Sequence, residues 1–169
     1  MAESCQMYRS GASVGIAVRS QSQPDWISAS AHLSGYQKFR RQLLDSYIEA
    51  RLPVLLAQLK NGRSLSFKMA NLSGKLQKAF STGIHGYVKV DTESVTLTDH
   101  TLSVKGHAID VGQIQAIDYS NWTERITFLM SNGDKEMLPF TSLFDGDLLL
   151  ALIEQLSPAL NESRAEQKA

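Results

Sequence analysis

The chain has 169 residues, 43% hydrophobic and 20% charged, with seventeen basic and seventeen acidic side chains. That length suits one domain or slightly more, no apolar run reaches the ~18 residues of a membrane span, and the opening residues lack a basic-then-apolar export pattern. Cys5 is the lone cysteine, which excludes an internal disulfide and a cysteine-built metal site and makes a cytoplasmic setting the expectation.

The first expected elements are two strands, "ASVGIAVR" (12–19) and "DWISASAH" (25–32), joined by "SQSQP". Ser34 then reads as the N-cap of a long amphipathic helix. Tyr36, Phe39, Leu43, Tyr47, Leu52, Leu55, Leu56 and Leu59 recur mostly at steps of three and four, which builds one apolar face. Pro53 is expected to kink or restart the helix, because proline lacks the donor a helix interior needs. Asn61-Gly62 stops it.

After Gly62 the period changes to two. "SLSFKM", "GYVKVD", "SVTLTD", "TLSVKG", "QIQAIDY", "RITFLM" and "KEMLPF" alternate in character and are parted by turn residues. Asp99-His100 and Ser131–Asp134 suit tight connections, and Pro139 suits the end of an edge strand. A helix follows over 145–156 with Leu149, Leu152, Ile153 and Leu156 on one side, then a polar, frayed tail over 159–169. The expected class is α+β: a bent antiparallel sheet or partly open barrel of about seven strands over 62–158, in the pleckstrin-homology-like manner. A C-terminal helix caps it, and residues 1–61 precede it as a hairpin and long helix.

Residues 15–44 and 125–156 share one order: strand, polar turn, strand, then "LSG" or "LFDG" and an amphipathic helix, with Gly35 and Gly146 at corresponding places. The first copy reads as the closing third of a unit whose earlier strands are missing, leaving an exposed edge at 12–33. "IEARLPVLLAQLKNGRSLSF" resembles the hinge of an uncharacterised bacterial family with tandem pleckstrin-homology-like domains, and "AIDVGQIQAID" and "LFDGDLLLALIEQL" are similar to its later strand and closing helix. The resemblance spans about residues 12–157. It implies a fold and no catalytic residue.

Catalytic patterns are sparse. His32, His85, His100 and His107 lack the spacing of a zinc site, and His107 and Asp110, three apart on a strand, point to opposite faces. "SGASVG" lacks the order of a dinucleotide loop and "LSGK" lacks the upstream glycine of a P-loop. Asp145 and Asp147 suit a helix start, where carboxylates complement the dipole. No catalytic residue, cofactor or metal is assigned, and the expected role is non-catalytic binding or scaffolding.

Charge is segregated along the chain. Residues 50–90 hold seven bases and no acid, whereas residues 91–169 hold thirteen acids against five bases. With balanced overall charge and no recognition motif, nucleic acid is not the expected partner. Residues 71–83, "NLSGKLQKAFSTG", interrupt the first two expected strands. If helical, Leu72, Leu76 and Phe80 form one stripe beside Lys75 and Lys78, with Lys68 and Lys89 on the flanking strands. Lys68, Lys75, Lys78, Lys89, Leu76 and Phe80 are therefore the expected contacts to an anionic membrane surface, met peripherally, or to an acidic protein partner. The alternative is an assembly protein that self-associates through the 12–33 edge.

Overall fold

A computed structural model describes residues 3–9, 12–20, 22, 25–80, 84–120 and 125–166. Among them the chain is α+β, with three antiparallel sheets and five α-helices. The first sheet is β1 (Glu3–Arg9), β2 (Ala12–Arg19) and β3 (Ile27–Ser30), with β2 central. Only β2 and β3 are read from alternation. β1 is unexpected because its polar residues Glu3, Ser4 and Gln6 are buried along with Cys5 and Met7, so no in-out pattern marks it. The edge expected to lie open on the 12–33 hairpin is covered on one side by β1, and among the described residues β3 has no second strand partner.

α1 (Tyr36–Lys60) runs unbroken through Pro53. Proline's fixed φ fits a helix, and the carbonyl it leaves without a partner belongs to exposed Glu49, so water can satisfy it. The N-cap is Gly35 rather than Ser34, in the left-handed region at φ 76° and without a side-chain cap. The buried face is Tyr36, Leu44, Tyr47, Leu55 and Leu59; Phe39, placed on it by spacing, is 41% exposed.

The second sheet orders β4 (Leu65–Ala70), β5 (Thr92–Leu97), β6 (Thr101–Val104) and β7 (His107–Asp110) as neighbours. The third places β9 (Arg125–Met130) between β8 (Ile114–Ser120) and β10 (Lys135–Leu138). Among the described residues these sheets do not close into a barrel. Phe67, Val95, Leu97, Leu102, Ile109, Ile126 and Phe128 point inward and meet Leu149, Leu152 and Ile153 of α4 (Gly146–Leu156) in one core, to which α1 adds Tyr47, Leu55 and Leu59. "GYVKVD" is not a strand: α3 (Ile84–Val88) occupies its first half, and the adjacent Tyr87 and Val88 are both buried against Cys5, Met7 and Phe144. A strand would turn one of the two outward. The frayed tail is also corrected: α5 (Pro158–Glu166) starts at a proline suited to a first helical position. The hydroxyl of Ser157 anchors its start by donating to the carbonyl of Ile114 at 2.8 Å.

Leu143 and Phe144 join the first and second sheets. Phe144 bridges Cys5 of β1, Leu143 bridges Met69 of β4, and Phe144 N–H donates to Lys68 O at 2.8 Å. A backbone turn at Asp145, left-handed at φ 55°, then starts α4. Asp145, not Gly146, is thus the counterpart of left-handed Gly35. Gly146 is small for another reason: a Cβ there would lie 2.8 Å from the Phe140 ring.

Candidate functional site

The segment after β4 is helical, as its spacing implies: α2 (Leu72–Phe80) is held at both ends of its first turn. The Asn71 side chain accepts from Gly74 N–H at 2.8 Å, a local cap that satisfies one of the free donors of a helix start. Asn71 N–H donates to Asp91 O at 3.1 Å. Gln77 grips the same residue twice, donating to Asp91 Oδ2 at 3.1 Å and accepting from Asp91 N–H at 3.0 Å.

This anchoring distributes the expected contacts unequally. Leu76 stands 57% exposed, and Lys75 is half-buried beside it. Lys89 is exposed just beyond α3 rather than on a strand. Lys68 is half exposed but spent on an ion pair, its Nζ 3.2 Å from Glu3 Oε1. Lys78 is a clear correction, because it is buried. Its amine sits 4.2 Å from the centre of the Tyr87 ring and 4.9 Å from that of Phe144; aromatic faces attract a cation and favour it inside, while burial pushes its pKa down. The side chains of Leu72 and Phe80 lie outside the described residues, so the Phe80 contact is not placed.

Two cations from distant segments act electrostatically on Lys75. Burial, then the nearby charge of Lys105, pushes the pKa of Lys75 down; Glu93 opposes this and Arg125 adds to it. Lys105 also pairs with Glu93 at 3.2 Å. Lys105 (φ 54°) and Gly106 (φ 80°) form the two-residue turn between β6 and β7, the mirror-type turn that a twisted hairpin prefers. Arg125 opens β9. The run of charge over 50–90 could not show these neighbours, because folding brings them to α2 from outside that run. "KG" between two alternating segments was the available signal for a hairpin tip.

A buried polar seam joins β1, α1 and the start of α4. Asp145 Oδ1 accepts from Ser4 N–H (2.6 Å), Ser4 Oγ (2.7 Å) and the Tyr47 hydroxyl (3.0 Å). Burial nevertheless pushes its carboxyl up to about 6. Asp147 takes a hydrogen bond from Gln6, whose side-chain oxygen accepts from Arg40 at 2.6 Å; burial raises its carboxyl too, against the pull of Arg40. Both stand at the start of α4 as the sequence suggests, Asp147 in its first turn, but the Asp145 side chain makes no cap hydrogen bond to the helix. Asp145 instead ties β1 and α1 to the start of α4. Cys5 is sealed beside the seam, its thiol pushed by burial up to about 11, so it stays protonated at neutral pH and is a poor nucleophile. Among the described residues no three His, Cys, Asp or Glu side chains are grouped to hold a metal, and no helix is long and apolar enough to cross a membrane. Comparison of the chain with family models, curated proteins and solved structures finds no match.

Proposed function

We propose that the chain is a non-catalytic binding module that touches an anionic membrane surface through Lys75 and the projecting Leu76 of α2, with Arg125 adding positive charge. The observation that carries this reading is Lys75 next to a leucine that is 57% exposed, on a helix held in place by Asn71, Gln77 and Asp91. The order of a four-stranded sheet, a three-stranded sheet and a closing helix supports a pleckstrin-homology-like fold for the second half, as does the resemblance of the hinge and last helix. Each cation near an anionic leaflet contributes about 1 kcal/mol, so the contact is weak, reversible and salt-sensitive. Leu76 adds shallow apolar insertion. In sedimentation with vesicles of about 30% anionic lipid, the wild type is expected to pellet at low salt and to release at physiological salt. Lys75→Glu and Leu76→Asp are each expected to reduce the bound fraction several-fold. Equal pelleting with neutral and anionic vesicles, or none with either, removes the lipid reading.

One observation favours assembly as a second reading. β3 has a single strand partner among the described residues, and its Ile27 is 67% exposed with Leu33 close behind at 51%. Such an edge can pair with its copy in a symmetric dimer. Light scattering at about 100 µM should then give twice the chain mass, and Ile27→Lys should halve it. A monomeric wild type at that concentration rejects this reading.

A further inference from the structure

α1 and α4 lie side by side, and an open groove of about 480 Å³ runs between them over the edge of their shared core, which Leu150 belongs to and Ile48, Leu52 and Phe140 pack against. Asp45 and Glu49 stand on the α1 wall, Asp147 and Glu154 on the α4 wall. Between them run Ile48 and Leu52 from α1 and Leu150 and Ala151 from α4. The two walls follow one pattern: 45, 48, 49, 52 and 147, 150, 151, 154 are each i, i+3, i+4, i+7, the spacing of a single helical face. Tyr119, 53% exposed, closes the groove and holds the α4 rim by a 3.0 Å hydrogen bond to Glu154.

We infer that this groove receives a cationic amphipathic helix from a partner protein. Two adjacent helices with apolar ridges leave a furrow that a third helix fills by ridge-into-groove packing. Seven residues of wall amount to roughly 10 Å, or about two turns of the incoming helix. The charge decides which helix. Among the described residues its lining carries four carboxylates and no base. Asp147 is directed inward to Gln6 and faces Arg40, but Asp45 and Glu49 keep the α1 rim negative. An acidic or neutral helix would bury or crowd those charges without compensation, whereas lysines or arginines flanking an apolar stripe pair with them. The chain's own basic helix is a poor occupant, since α2 keeps Lys78 inside and offers only Lys75. This surface is separate from the Lys75 face, and neither inference depends on the other.

The test is a nuclear magnetic resonance titration of the full chain with a synthetic helix of about fourteen residues, leucines on one face and lysines beside them, against a scrambled peptide of equal composition. Saturating amide shifts confined to 45–52, 119 and 147–154 are expected, with a Kd in the range of about 10–100 µM at low salt. Glu49→Lys combined with Glu154→Lys should weaken binding at least about tenfold, with circular dichroism unchanged. Four results overturn the inference: no shifts; equal shifts from the scrambled peptide; equal binding by the double variant; or the same amides moving when the chain alone is diluted, which would make a second copy the occupant.

Discussion

Gly74→Ala is expected to destabilise the α2 region by about 2 kcal/mol or more, opposite in sign to the ~1 kcal/mol that alanine normally gains over glycine in a helix. A Cβ at position 74 would sit 2.1 Å from the backbone oxygen of Asp91 and 3.1 Å from its carbonyl carbon. Backbone cannot rotate away as a side chain can, and this backbone is pinned. Asp91 O accepts from Asn71, Asp91 N–H donates to Gln77, and the next residue pairs across to Ala70 as β5 begins. The added methyl must therefore lift the start of α2 from its seat. The loss is capped by the energy that docks α2, since the helix can detach while the main core stays folded. Hydrogen exchange over 72–80 is accordingly a sharper readout than global urea unfolding. Slower exchange in the alanine variant would show that the close approach is absent. Because α2 carries Lys75 and Leu76, the same variant should also bind anionic vesicles less well than wild type.

Gly74 marks the limit of what the sequence could convey. Alternation is legible where a strand has one face inward and one outward, as in β5, where Val95 and Leu97 are buried and Thr92 and Ser94 exposed. The helical stripe of Leu149, Leu152 and Ile153 is legible for the same reason. Both patterns are local, and one residue's neighbours in sequence suffice to show them. β1 is not local in this sense. Its polar residues are inside because Arg19, Asp145 and Asp147 meet them there, and two of those three partners lie some 140 residues away. "GYVKVD" alternates by accident and is overruled by a pocket that takes Tyr87 and Val88 together. The basic loop fails residue by residue on similar grounds. Lys78 reads as a surface cation until Tyr87 and Phe144 close over it, and the charges of Lys105 and Arg125 reach Lys75 only through folding.

Asp145→Asn should stabilise the protein by as much as about 3 kcal/mol above pH 7 and by little near pH 4. In the folded chain the carboxyl titrates near 6 against 3.8 for the free group, and each pH unit of difference corresponds to about 1.4 kcal/mol. Between those two values the folded state holds a proton that the unfolded state has released. Stability consequently falls as pH rises through the window, and the whole penalty for ionising a buried carboxyl is present above it. Asparagine removes that penalty and keeps what the site uses. Its oxygen can accept from Ser4 and Tyr47 as Asp145 Oδ1 does, and it tolerates the left-handed backbone at φ 55° better than most residues. Asp147 is raised in the same direction but is present in both proteins, so to first order it drops out of their difference. Urea unfolding of both proteins at several pH values between about 4 and 8 gives that difference directly. If it rises with pH, burial outweighs the three hydrogen bonds that favour the charge. If it is flat, those bonds keep the carboxylate ionised throughout, and the seam joining the first sheet to α4 is held by a full negative charge.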